Sequence, residues 1–162
     1  SDDSGGTYTM TYTVVEGNSD RAAGATPVSI VLNDGENTNS AHTTLVESSA
    51  QTIDANSPGA TITSSTVSSG ASTATAAIAL AFNTGESTTD FDVDDITASG
   101  CALTSFAGSG SSYTATCTAS SDGTPTVTIS SGTFNDGAGN DNTVSNTYTW
   151  TYDGTALTIV IA

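Results

Sequence analysis

The chain has 162 residues with seventeen carboxylates, one Arg, one His and no Lys, a formal charge of −16. A single Arg cannot neutralise a run of phosphates, which excludes nucleic acid and anionic membrane surfaces as partners and leaves little to steady a phosphoryl transition state. No apolar run approaches the about 18 residues that cross a bilayer, so no membrane insertion is expected; nothing has the form of a secretory leader, so a secreted protein would be represented here by a mature or excised segment.

About a third of the residues are Ser or Thr, and only 11% are charged. Such a composition fits disorder unless the chain alternates, and this one does. From the N-terminus, Tyr8-Thr-Met10-Thr-Tyr12-Thr-Val14 is apolar at every second position, and Gly17-Asn-Ser-Asp20 then reads as a turn. Val28-Ser-Ile30 leads to a second turn at Asn33-Asp-Gly35. Ala60-Thr-Ile62 and the longer Ala74-Thr-Ala76-Ala-Ile78-Ala-Leu80-Ala-Phe82 follow. Tyr113-Thr-Ala115-Thr-Cys117 comes after the turn Gly108-Ser-Gly110, and Val127-Thr-Ile129 after Ser121-Asp-Gly123. The loop Asn135-Asp-Gly-Ala-Gly-Asn140 precedes Tyr148-Thr-Trp150-Thr-Tyr152. A period of two puts the apolar set on one face of a strand and Thr on the other, where its branched Cβ suits the pleat. No segment has helical period. The fold class is all-β, an antiparallel sandwich with turns rich in Gly and Asx.

The chain also matches itself weakly, with a period of about 100 residues. Tyr8-Thr-Met-Thr resembles Tyr113-Thr-Ala-Thr, Val28-Ser-Ile30 resembles Val127-Thr-Ile129, and Asn33-Asp-Gly35 resembles Asn135-Asp-Gly137. Ile53-Asp54 followed by Ala60-Thr-Ile62 resembles Tyr152-Asp153 followed by Leu157-Thr-Ile159. Residues 57–153 are then one complete module, and 1–56 the second half of another. Residues 154–162 hold the first strand of a third, with Leu157, Ile159 and Ile161 as its inter-module face. A half sandwich leaves an apolar face and unpaired edges, so a neighbouring strand or segment must complete residues 1–56. The alternative is that residues 1–56 add strands to one larger sandwich.

Cys101 and Cys117 flank the Gly108-Ser-Gly110 turn. A hairpin centred on Ser109 sets Cys101 opposite Cys117, Leu103 opposite Ala115 and Ser105 opposite Tyr113, with both thiols on the inward face. This predicts a cross-strand disulfide formed in an oxidising compartment, contributing about 3 kcal/mol in the chain-entropy treatment. The alternative is two buried free thiols serving as small core residues.

Several stretches resemble the bacterial-type immunoglobulin-like repeat: Phe91-Asp-Val-Asp-Asp95-Ile96-Thr, Leu103-Thr-Ser-Phe106 through Tyr113-Thr-Ala, Val127-Thr-Ile129, Phe134-Asn-Asp136-Gly-Ala-Gly139-Asn140 and Trp150-Thr-Tyr-Asp153. The segment Gly6 to Asp20 is similar to the second half of a sister type. The resemblance implies Ig-like Greek-key sandwich modules, one complete and one partial, within giant extracellular adhesins, surface layers or fibres. It implies extension and presentation rather than catalysis, with neighbouring modules or copies of the same protein as partners. Two features depart from the family: the Cys pair is not general, and the linker Asp153-Gly-Thr-Ala lacks the Pro present at Asp54-Ala-Asn-Ser-Pro58.

Calcium is the expected ligand of two acidic stretches. Asp92, Asp94 and Asp95 crowd together with Asp90, and Asp136, Asn140 and Asp141 share a Gly-rich loop. With so little basic charge, such carboxylates are best relieved by a hard cation that takes about six to eight oxygens. The resemblance extends the expectation to the joints at Asp54 and Asp153. The competing reading is that these residues form Asx-turns. His42 has no catalytic neighbours and reads as an exposed strand residue. Trp150 and the tyrosines read as core rather than as a sugar platform. No Asn-x-Ser/Thr acceptor occurs.

The functional expectation is a structural unit of a long extracellular filament, adhesin stalk or surface layer, with donor-strand-like strand addition as the joint. The alternative is a calcium-dependent module that binds glycan or protein through its loops. No nucleophile–base pair or metal triad is visible, so no enzymatic activity is expected.

Overall fold

The computed structural model describes residues 10–33, 36–38, 40–43 and 51–161. It divides into two compact units, Ser1–Asn56 and Ser57–Ala162. Tyr8, Asp34 and Gly35 lie outside the described residues.

The second unit is all-β, a sandwich of strands β1 (Thr61–Ser64), β2 (Ser72–Thr73), β3 (Ala77–Thr88), β4 (Ile96–Ser99), β5 (Cys101–Ala119), β6 (Thr126–Ile129), β7 (Tyr148–Thr149) and β8 (Thr151–Tyr152). One sheet has the order β1-β3-β5 and the other β4-β6-β7, while β2 and β8 form a short parallel pair. The chain crosses between sheets at each step from β3 to β6.

Alternation explains β3. Ile78, Leu80 and Phe82 are buried and the alanines between them are exposed. Its antiparallel register with β5 sets Phe82 against Tyr113, Leu80 against Ala115 and Ile78 against Cys117, so each large residue but the first faces a small one. The register shifts between Asn83 and Thr88, where Gly85 (φ 74°) passes so close to Gly59 that a Cβ would come 3.0 Å from its carbonyl oxygen. The opposite sheet contributes Ile96, Val127, Ile129 and Tyr148 to the same core, with Trp150 fully buried between β7 and β8. Phe91 sits at the centre of an aromatic group, with ring centroids 5.0 Å from both Tyr113 and Phe134. At the outer edge of β1, the Asn146 side chain stands in for a strand: Ile62 N–H donates to its Oδ1 (2.8 Å) and its Nδ2 donates to Ile62 C=O (3.0 Å).

The first unit carries only isolated bridges among its described residues: Arg21 with Ile53, Ile30 with His42 and Asn33 with Thr38. The sequence reads Met10, Tyr12 and Val14 as the inward face of a strand. In the structure residues 10–15 join no ladder, and these three side chains are 69%, 60% and 41% exposed. Alternation states which face seeks cover, and the described part of this unit offers no second sheet to provide it.

Two of the three bridges of the first unit have counterparts in the second, each sharing one residue that the internal similarity aligns, and the third has a related pair of hydrogen bonds. Arg21 and Ile53 exchange two backbone hydrogen bonds (2.8 and 2.9 Å), as do Gly123 and Tyr152 (2.9 and 2.8 Å). Ile30 exchanges two with His42. Ile129 receives one from Ser145 N–H (3.0 Å) and donates its own N–H to Ser145 Oγ (2.8 Å). The Asn33–Thr38 bridge has its counterpart in Asn135–Asp141.

Candidate functional site

Three groups of polar side chains organise the loops: the aspartates near the start of β4, the loop before β7 and the points where the chain leaves each unit.

Cys101 and Cys117 form a disulfide with Cα atoms 5.7 Å apart. Cys117 is fully buried and Cys101 half-buried against the core. The hairpin within β5 is less regular than the sequence suggests. Gly108, rather than Ser105, lies against Tyr113: a Cβ on Gly108 would fall 2.5 Å from the Tyr113 Cα. Ser105 adopts φ 54°, a local irregularity in the 101–108 arm that moves the tip past Ser109.

Of the four aspartates between β3 and β4, Asp90 serves one task and Asp92 and Asp95 share another, while Asp94 contributes its backbone N–H. Asp90 accepts from Thr88 Oγ1 (2.5 Å) and from Asn135 N–H (3.2 Å). Asp92 caps the single 3-10 turn Val93–Asp95, accepting from Asp94 N–H (2.8 Å), while Asp95 reaches back to accept from Asp92 N–H (2.8 Å). This is a capping box built from two carboxylates. Burial pushes the Asp95 carboxyl above its ordinary pKa. The Asp92 N–H opposes that, and the charges of Asp92, Asp90 and Asp94 add to it.

In the 135–142 loop, Asp136 is nearly buried, at 6% exposure. Its Oδ1 accepts from the backbone N–H groups of Ala138, Gly139 and Asn140 (2.8, 2.7 and 2.9 Å), and Oδ2 accepts from Asn140 Nδ2 (2.8 Å). Burial disfavours the charge. The Asn140 side chain and the backbone N–H groups of Asn140, Ala138 and Gly139 outweigh it and hold the carboxyl below its ordinary value. Asp136 and Asn140 are thus brought together, but as acceptor and donor. Asp141 is exposed and pairs by backbone with Asn135. Glu86 and Asp136 place carboxylate oxygens within 4.8 Å of each other, a neighbour for Asp136 that the sequence did not suggest.

Asn142, also missed from sequence, is 2% exposed. Its Oδ1 accepts from the N–H groups of Thr133 and Phe134, and its Nδ2 donates to the carbonyls of Ser130 and Thr143. That one amide closes the loop onto the sandwich.

At the exit of the second unit, Asp122 accepts from Gly154 N–H (2.7 Å) and from Thr155 Oγ1. The Thr155 hydroxyl and the Gly154 N–H lower the Asp122 pKa, against a small opposing contribution from desolvation. At the exit of the first unit, Asp20 accepts from Ala55 N–H (3.0 Å) and Asn56 Nδ2 (2.7 Å). Each aspartate directly precedes a bridged residue, Gly123 paired with Tyr152 and Arg21 paired with Ile53, so both grip the chain as it leaves. Beyond the second clamp Leu157, Ile159 and Ile161 are 92%, 80% and 92% exposed. His42 is exposed, and Trp150 and Tyr148 are core residues.

The bacterial Ig-like domain profile matches residues 54–152. No curated protein and no solved structure is matched. The match covers strands β1 through β8 and more than half of the sequence, and on that ground the chain belongs to the bacterial Ig-like domain family.

Proposed function

We propose that the chain is a stretch of a longer array of Ig-like modules, working by extension and presentation in an extracellular filament, adhesin stalk or surface layer. The observation that carries this is the duplication of one hydrogen-bond scheme, two bridges and an exit clamp, in two units of a single chain. A family module supplies the scaffold, and the Cys101–Cys117 disulfide suits an oxidising exterior. In this reading residues 154–161 begin a following module, with Leu157 and Ile159 taking the places of Ala60 and Ile62. Modules of the same protein are the partners, joined by strand pairing across the joints. An antibody against residues 57–153 should label intact cells of the source organism. Labelling only after permeabilisation would overturn the surface location.

A calcium-dependent glycan- or protein-binding role is the second reading, favoured by the proximity of Glu86 to Asp136. Donors already occupy both Asp136 oxygens, so a bound ion would have to share lone pairs with them. Millimolar calcium raising the melting temperature of the chain, with chelator reversing it, is the expected result of this second reading. An unmoved transition would leave charge screening alone to relieve the −16.

A further inference from the structure

The first unit exposes Met10 and Tyr12, which line a groove of about 500 Å³ together with Pro27 and Val28, and leaves Val14 partly exposed beyond it. By the internal similarity these three side chains correspond to Ala115, Cys117 and Ala119, which are 4%, 0% and 8% exposed. Val28 and Ile30, half-buried, correspond to Val127 and Ile129, both fully buried. Positions that form the core of the complete sandwich are therefore exposed or only half-buried in the other unit. The complete sandwich also shows what stands beside them. β5 pairs along residues 112–118 with β3, and β3 alone separates β5 from β1.

We infer that residues 10–15 pair with a strand of the β3 kind, an alternating aliphatic strand like Ala77–Phe82, carried on a first-half segment of the type of residues 57–107. The inference rests on the array reading and names the partner within it. It also excludes the simplest form of strand exchange, in which residues 155–161 of another copy fill the groove. That segment corresponds to β1, and β1 reaches β5 only across β3, roughly 10 Å away at two strand spacings. A second copy's own β3 is already held between its β1 and β5, so the occupant is a further first-half segment. Side-chain size sharpens the match. Met10 and Tyr12 stand where the complete unit has Ala115 and Cys117, so the incoming strand should carry smaller residues opposite them than Leu80 and Ile78.

The test uses the full chain with N-terminal extensions on a flexible linker. One carries a second copy of residues 57–107, one the same copy with I78A and L80A, and one a copy of residues 154–161. Amide exchange over residues 11–15 should slow at least about tenfold with a 57–107 extension, more strongly with the I78A/L80A form, and stay fast with 154–161. No slowing with either 57–107 form, or equal slowing with 154–161, overturns the inference. Cell labelling reads the surface location independently, so the two failures are distinguishable.

Discussion

The described parts of residues 10–56 and residues 113–155 share backbone bridges and an exit clamp, and they differ in how far the aligned side chains are buried. The later one lies against β1, β3 and β4, and its inward residues are buried. The earlier one keeps the same bridges and exit clamp, yet leaves Met10, Tyr12 and Val14 exposed. A hydrogen-bond scheme that ties Asp20 to Ala55 and Asn56 thus persists where Met10, Tyr12 and Val14 are exposed. Burial requires a second layer, which local sequence cannot provide.

Equivalent substitutions break the comparison most sharply. Ile129→Ala removes a fully buried side chain from the complete sandwich and should cost about 2–5 kcal/mol. Ile30→Ala, at the matching half-buried position, should cost roughly 1 kcal/mol or less. Urea unfolding followed by Trp150 fluorescence reads the second unit, because the chain has a single Trp. Amide exchange around Ile30 reads the first. If the two costs are equal, the first unit has a core of its own. The disulfide provides the next contrast, since the first unit has Tyr12 where the second has Cys117. Reducing Cys101–Cys117, or replacing both by Ser, should destabilise the second unit by about 3 kcal/mol and leave exchange in residues 10–33 unchanged.

The strands of the second unit were legible because period two is local. The sequence gives Ile78, Leu80 and Phe82 as one face, and Tyr113, Ala115 and Cys117 as its partner face; these residues do line the core. It placed the disulfide but mistook the hairpin tip, since nothing in Leu103-Thr-Ser-Phe106 announces that Ser105 takes a positive φ. The acidic loops were found as clusters, but their chemistry was hidden. Whether Asp136 meets cations or N–H groups depends on how the backbone of 137–140 turns. The two exit aspartates were invisible for another reason. Asp20 and Asn56 are 36 residues apart, and Asp122 and Gly154 are 32 apart, distances over which no spacing rule operates.

The aspartates divide by the sign of their pH response. Asp136 has a lowered folded pKa, so its contribution is fully present above the ordinary carboxylate value and lost as the pH falls through the lowered one. Asp95 has a raised folded pKa, so its charge opposes folding at neutral pH and that opposition fades as acid protonates it. D136A should therefore destabilise the second unit by about 1–3 kcal/mol at pH 7, because three N–H groups lose their acceptor. D95N should be tolerated better at pH 7 than at pH 4, its remaining cost being the weakened capping box. Thermal unfolding of both variants across this range reads the two signs.

The smallest effect belongs to the exit clamps, and it separates direction from stability. Asp122 touches only Gly154 and Thr155 among its hydrogen-bond partners here, both outside the core, so D122A should leave the unfolding transition of the second unit in place. The Gly154 amide should exchange several-fold faster, and residues 155–161 should lose their fixed departure from Tyr152. D20A should do the same to Ala55 in the first unit. Acid should imitate D122A only below the ordinary carboxylate range, because the bonds from Thr155 and Gly154 hold the Asp122 proton off to lower pH. With that outcome the clamp fixes the direction of the departing chain without adding to the stability of the unit it leaves. If D122A instead lowers the melting temperature as far as D136A does, Asp122 is part of the module's fold, and the direction of the chain beyond Asp153 is set by something else.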